Sequence, residues 1–113
     1  MIGSGVTRYL SSQNFEVHEF NRAGKPTIPG NSSTYFNISN SNNNELLENL
    51  KQFDVILNLI GVIRHKINDS DVNSVENAIV VNSLFPIVLD RFALSNGIPV
   101  IQIGTDCVFS GIK

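Results

Sequence analysis

The chain has 113 residues, of which 42% are hydrophobic and 16% are charged, and its formal net charge is −2. This length suits one domain, and this composition allows a buried core. The small negative charge argues against electrostatic binding to nucleic acid or to an anionic membrane, and no apolar run approaches a membrane span. A single cysteine, Cys107, excludes an internal disulfide and fits a reducing, cytoplasmic compartment.

The first half of the chain predicts a helix, two strands and a second helix. MIGSGVTRYLSS carries apolar residues at helical spacing. FEVHEF, residues 15–20, alternates apolar and polar residues as a short strand does, and TYFNI is a weaker strand after a Gly- and Pro-rich loop. A helix then begins near Asn42 and runs to about Phe53, with leucines along one face.

The second half predicts two buried strands separated by a long helix. DVILNLIGVI is almost continuously apolar, as is typical of a parallel strand covered on both faces. A helix follows from about Val75 to Ser95, and Pro86 inside it should kink or restart it. Gly97 is placed to cap this helix, and PVIQIGT is another strand of the buried type. Strands alternating with helices predict an α/β fold with a parallel sheet.

The glycine pair at the start of the chain, Gly3 and Gly5, stands at the head of the first helix. In dinucleotide-binding folds, a strand leads through a glycine-rich turn into a helix whose N-terminus holds the cofactor pyrophosphate. Taken alone, MIGSG favours an ordinary capped helix start.

Five stretches, in this order, resemble the extended short-chain dehydrogenase/reductase family: MIGSGVTRYL, FEVHEFNR, FDVILNLIGVI, AIVVNSLFP and PVIQIGTDCVFSG. They look most like its dTDP-4-dehydrorhamnose reductase and related sugar-nucleotide branch, and TDCVFSG is the most specific stretch. The resemblance implies one partial domain, residues 1–113, with a Rossmann-like NAD(P)-binding parallel sheet. Gly3 matches only the last glycine of the family's Gly-x-x-Gly-x-x-Gly turn. We therefore expect an incomplete fold, whose first strand and C-terminal part are missing from these residues.

The same resemblance assigns roles to individual residues. Thr105 matches a Ser or Thr that holds the substrate carbonyl for hydride transfer, and it is the catalytic candidate. The cofactor-binding candidates are Gly3, Asn21, Arg22, Asn37, Ile38, Asn58, Leu59, Ile60 and Gly61. Each has an ordinary structural alternative, such as helix packing for Gly3 or a strand-end turn for Asn37. Asn82 matches a family asparagine that supports the site through a backbone or water contact, and a bond within its own helix is the alternative. No metal site is expected.

The residues that follow the FEVHEF strand indicate which cofactor is bound. Relatives selective for NAD tend to have an acidic residue there, which accepts hydrogen bonds from the ribose hydroxyls. Asn21 is neutral, and Arg22 offers a fork of donors suited to phosphate, with Lys25 nearby. The pattern favours NADP over NAD, and a solvated basic loop is the alternative.

The activity implied by the resemblance is NADPH-dependent reduction of the 4-keto group of a nucleotide-activated deoxysugar. A sugar-nucleotide epimerase or dehydratase shares the same cofactor half. A non-catalytic subunit is a further alternative, since the regulatory subunit of methionine adenosyltransferase resembles the same branch. The family's Tyr-x-x-x-Lys pair is absent from these residues, and we expect no turnover by them alone. The exposed edges of an incomplete sheet would favour a homodimer or a sheet completed by a partner.

Overall fold

The structure is a computed structural model that describes residues 2–38 and 43–104. Helices and strands follow one another as α1 (Ile2–Ser12), β1 (His18–Asn21), β2 (Ser32–Tyr35), α2 (Asn43–Leu50), β3 (Ile56–Asn58), a 3₁₀ turn (Arg64–Lys66), α3 (Val72–Ile79), a π-helical turn (Val80–Leu84), α4 (Phe85–Asn96) and β4 (Val100–Gln102). This order confirms the predicted alternation, although every strand is shorter than its apolar pattern indicated.

The strands form two separate parallel pairs. β1 pairs with β2, with His18 opposite Ser32, and β3 pairs with β4, with Ile56 opposite Val100. No hydrogen bond joins the two pairs within residues 2–38 and 43–104. In the Rossmann strand order, the first strand of the fold lies between these pairs. The arrangement is thus a Rossmann-like parallel sheet whose central position is open in the described part of the chain.

The hydrophobic core lies between the strands, α2 and the long helix that α3 and α4 form together. Its buried members are Phe36, Ile38, Leu46, Leu50, Ile56, Val81, Phe85 and Leu89. The rings of Phe36 and Phe85 lie 5.8 Å apart between centroids, and Leu89 is 2% exposed. The long helix presents Val81, Phe85 and Leu89 at helical spacing, and this stripe joins it to the sheet.

The long helix is interrupted where Pro86 was expected to kink or restart it. Proline has no N–H to donate to the carbonyl four residues earlier, that of Asn82. The helix widens here into the π turn, in which the N–H of Phe85 donates to the carbonyl of Val80. The helix ends at Gly97, whose φ of 67° is left-handed. Both predictions, the interruption and the glycine cap, are confirmed.

Among the described residues, the segment Val72–Asn96 is a helix of 25 residues, and an 18-residue stretch of it has a mean hydropathy of 1.5, which by length and composition would allow it to cross a membrane. The expectation that no apolar stretch approaches a membrane span is therefore wrong by length and composition. This is weak evidence for a membrane, because core helices of globular domains have similar length and composition. Phe85 and Leu89 of this helix are buried in the core.

One face of the pair β3–β4 is largely open at β4 in the described part of the chain. Ile56 and Asn58 are buried, whereas Ile101 is 50% exposed and Ile103 is 43% exposed. Successive side chains of a strand point to opposite faces, and the described helices leave the face with Ile101 and Ile103 largely open. The prediction that PVIQIGT is buried on both faces is therefore wrong for the described residues.

Candidate functional site

The carboxyl end of β1 is shaped by the side chain of Asn21. Its Oδ1 accepts hydrogen bonds from the N–H groups of Ala23, at 3.0 Å, and Gly24, at 2.8 Å. Its Nδ2 donates to the carbonyl of Lys25 at 3.0 Å. Asparagine commonly builds turns in this way, by bonding to the backbone that follows it. Both polar atoms of this predicted cofactor ligand are therefore engaged in the turn formed by residues 21–25.

Two cationic side chains project from the same turn. Arg22 and Lys25 are exposed, and neither side chain makes a hydrogen bond or ion pair within the part of the chain that the structure describes. Residues 21–31 include no acidic residue. The nearby carboxylate of Glu19 accepts from the N–H and hydroxyl of Thr27, both at 2.5 Å. The turn therefore offers a guanidinium and an ammonium to an anion.

The turn lies beside the second predicted contact region, Asn37 and Ile38. The carbonyl of Asn21 accepts from the N–H of Phe36 at 2.8 Å, which ties the end of β1 to the chain leading into Asn37. Ile38 is 8% exposed. An open cavity of about 410 Å³ is lined by Ile38, Asn73, Glu76, Asn77 and Val80. The structure thus brings Asn21, Arg22, Asn37 and Ile38 into one region.

The polar wall of this cavity was not predicted from the sequence. Asn73, Glu76 and Asn77 lie on α3 at the spacing that places residues on one helix face. In the sequence, such a face looks the same as any solvated helix surface. Only the packing of α3 places it opposite Ile38.

A second group of predicted residues meets at the end of β3. A Cβ built on Gly3 would lie 4.0 Å from Cδ1 of Leu59, which shows that the N-terminus of α1 lies against this strand end. Ile60 is 37% exposed, and Gly61 is exposed beside it. Gly3, Leu59, Ile60 and Gly61 therefore line the carboxyl edge of the sheet, where ligands bind in open α/β folds.

Asn58 has a different environment, since it is 2% exposed. Its Nδ2 donates to Oε1 of Gln102 at 2.7 Å, across the β3–β4 pair. Its Oδ1 accepts from the N–H of Ile60 at 3.2 Å. The side chain thus joins two strands and shapes the segment that follows β3.

Asn82, in the π turn, holds the loop after β3. Its Oδ1 accepts from the N–H of Val62, and its Nδ2 donates to the carbonyl of Val62, both at 2.8 Å. A Cβ on Gly61 would lie 3.7 Å from the same Oδ1. The contact is a direct pair of side-chain bonds to another segment, in place of a bond within its own helix. The π turn that precedes Pro86 contains this residue, and such turns recur at functional sites.

Thr105, the predicted catalytic residue, lies outside the described residues, as does Cys107. The role of Thr105 stays a prediction. Among the described residues, no group of three or more His, Cys, Asp or Glu side chains could hold a metal ion.

Comparison with known proteins identifies the family. The sequence profile described as "NAD dependent epimerase/dehydratase family" matches residues 1–112. The chain belongs to this family. Neither a comparison with curated proteins nor one with solved structures gave a match. The NAD dependent epimerase/dehydratase family comprises enzymes of the oxidoreductase type that bind an NAD(P) cofactor.

The residues of this epimerase/dehydratase chain fit such a cofactor. The cavity beside Ile38 is open and combines apolar side chains with a few polar ones, as ligand sites commonly do. The guanidinium of Arg22, which has no hydrogen-bond partner among the described residues, suits a phosphate, and the exposed Gly61 has no side chain to block a ligand there. Both regions follow strand carboxyl ends, which is where the fold places dinucleotides.

Replacing Asn82 with leucine is expected to lower the free energy of unfolding by about 1–2 kcal/mol, because two hydrogen bonds to Val62 are lost. The amide of Val62 should then exchange with solvent faster. Chemical denaturation and hydrogen exchange measure these effects. Ser83→Ala, on the neighbouring exposed residue, is the matched control. An unchanged exchange rate at Val62 would contradict the bonding described.

Proposed function

We propose that this chain is the cofactor-binding part of an NADPH-dependent reductase of the dTDP-4-dehydrorhamnose reductase-like branch, which reduces the 4-keto group of a nucleotide-activated deoxysugar. The observation that carries the choice of NADP is the turn after β1. It presents Arg22 and Lys25 without a competing carboxylate, and it has an asparagine where NAD-selective enzymes carry an acid. A guanidinium is suited to forked hydrogen bonding with a phosphate.

The two groups of site residues are proposed to contact different parts of the cofactor. Arg22 and Lys25 hold the 2′-phosphate, while Ile38 and the cavity beside α3 receive the adenine. Gly3 and the segment after β3 lie along the pyrophosphate and the nicotinamide ribose. The nicotinamide, when bound, supplies hydride to the sugar carbonyl. The hydroxyl of Thr105 donates a hydrogen bond that orients this carbonyl.

A sugar-nucleotide epimerase or dehydratase is equally compatible with the family. The reactions differ in residues that move protons, and neither tyrosine of this sequence begins a Tyr-x-x-x-Lys pair. Gln13 is four residues after Tyr9, and Ser39 is four residues after Tyr35. We therefore propose that residues 1–113 alone bind cofactor without turning over substrate. This property also suits a non-catalytic binding subunit.

The proposal also includes a small-molecule partner, a compartment and a protein partner for the sheet. The small-molecule partner is a nucleotide sugar, and the compartment is the cytoplasm, in keeping with the single cysteine. The edges of β1 and β3 that no described strand pairs with favour completion of the sheet by a further strand, from a partner or from a second copy of the chain.

The test of NADP binding uses nucleotides that represent half of the cofactor. We expect ¹⁵N NMR titration of the chain to show about tenfold tighter binding of adenosine 2′,5′-bisphosphate than of 5′-AMP, with shifts at residues 21–25. Arg22→Ala should abolish this preference. Arg8→Ala, which removes an exposed arginine from α1, should leave it unchanged. Equal binding of the two nucleotides by the unaltered chain would contradict NADP selectivity.

A further inference from the structure

The turn formed by residues 21–25 packs against the end of β2 as well as the end of β1. Gly24 has a φ of 63°, which is left-handed. A Cβ at this position would lie 3.3 Å from Cβ and 3.8 Å from Cα of Tyr35, the last residue of β2. A side chain here would meet both backbone strain and a crowded neighbour. Glycine therefore allows the turn to close onto β2.

Asn21 ties three segments together at this point. Its backbone carbonyl accepts from the N–H of Phe36, while its side chain bonds to Ala23, Gly24 and Lys25 as described above. Residues 21–25 are thus held at a fixed position relative to the segment that continues into Asn37 and Ile38. Asn21 therefore holds both parts of the proposed adenosine site, namely the turn with Arg22 and Lys25 and the segment with Asn37 and Ile38.

We propose that Asn21 and Gly24 are positioning residues for recognition of a 2′-phosphate. They do not bind the phosphate themselves, since both polar atoms of Asn21 are engaged in the turn and glycine has no side chain. They fix the backbone position from which Arg22 and Lys25 project. This position is then constant relative to Asn37 and Ile38, which are proposed to lie beside the adenine. Because the turn is formed before the ligand arrives, ordering Arg22 costs less on binding. This inference rests on the proposed binding of NADP.

The experiment compares two variants of the turn, first alone and then together with Arg22→Ala. Gly24→Ala and Asn21→Leu are each compared with the unaltered chain by NMR titration with adenosine 2′,5′-bisphosphate and with 5′-AMP. We expect each variant to reduce the ratio of the two affinities about fivefold or more. Gly30→Ala is the control, because Gly30 lies in the same loop with a φ of 96° and a Cβ added there would have no atom within 4 Å. It should leave the ratio unchanged.

A double-mutant cycle separates positioning from general damage. In the Arg22→Ala background, Gly24→Ala should have no further effect on the ratio, because Arg22, the side chain on which the preference depends, is gone. A structural defect alone would weaken the binding of both nucleotides by a similar factor and leave the ratio of their affinities unchanged. Chemical denaturation of each variant shows that it is folded, and Gly24→Ala suffices if Asn21→Leu does not fold.

The outcomes distinguish this inference from the proposed function. If Arg22→Ala abolishes the preference while both turn variants retain it, positioning by the turn is overturned and NADP binding stands. Additive effects of Gly24→Ala and Arg22→Ala would also overturn positioning. If the unaltered chain shows no preference, or Arg22→Ala does not change it, NADP binding fails and the positioning role fails with it.

Discussion

Replacing Asn21 with aspartate is expected to reverse the nucleotide preference of the chain, from about tenfold in favour of adenosine 2′,5′-bisphosphate to about tenfold against it. The carboxylate can still accept from the N–H groups of Ala23 and Gly24, but it cannot donate to the carbonyl of Lys25, so the turn keeps two of its three side-chain hydrogen bonds. Its charge, next to Arg22, opposes a phosphate and suits the ribose hydroxyls. The change of about a hundredfold in the affinity ratio corresponds to about 2.7 kcal/mol. NMR titration with both nucleotides measures this ratio.

Asn31→Asp is the matched control for this prediction. It makes the same change in net charge within the same loop, but Asn31 lies just before the first residue of β2, at the opposite edge of the sheet. Its Nδ2 donates to Oγ of Ser11 at 2.9 Å. We expect Asn31→Asp to keep the preference for the 2′-phosphate. A similar loss in both variants would show that net charge, rather than the position of residue 21, sets the preference.

The order of the elements was predictable because it depends on local periodicity. Apolar residues at helical spacing mark α1 and the long helix, and continuous apolar runs mark β3 and β4. Pro86 and Gly97 act through their own backbone chemistry, and the consequences could be predicted without knowing their neighbours. Strand lengths were overestimated, since pairing ends where the neighbouring strand ends. DVILNLIGVI, for example, forms only Ile56–Asn58.

The details of the site depend on contacts between distant segments, which the sequence does not reveal. Asn21 was predicted from its place at a strand end, but the use of its amide within the turn depends on Gly24 and Lys25. Asn82 reaches Val62, 20 residues away, because α3 and α4 fold back along the sheet. The polar face of α3 became a cavity wall only through packing. Thr105 remains a prediction from the resemblance.

Helix α1 shows how the two strand pairs are related. Gly3, in its first turn, lies against Leu59, just after β3 ends, and Ser11, in its last turn, bonds to Asn31, just before β2 begins. In the Rossmann fold, a helix placed in this way runs antiparallel to the strands of both pairs. The ring of Phe53, shortly before β3, lies 5.9 Å from that of Phe20 in β1. In the Rossmann strand order, β1 and β3 are the inner strands of the two pairs, with the open position between them.

An apolar peptide added as a parallel strand between β1 and β3 is expected to slow amide exchange in both strands by about a hundredfold at a concentration a hundred times its dissociation constant. Val6 and Leu10 of α1 are only half-buried, and the core lies on the other side of the sheet, so an apolar strand would be covered on both faces. The probe is the synthetic peptide Lys-Val-Ile-Val-Ile-Gly-Lys. Hydrogen exchange followed by NMR measures protection at His18–Asn21 and Ile56–Asn58.

A peptide of the same sequence, N-methylated at alternate residues, is the control, because it keeps the side chains and loses the donors that bond to one neighbouring strand. It should not protect both strands. Protection that rises with chain concentration in the absence of peptide would identify a second copy as the occupant of the open position. Protection confined to β2 and β4 would place the peptide at the outer edges of the sheets, and the open position between β1 and β3 would then not be a binding site.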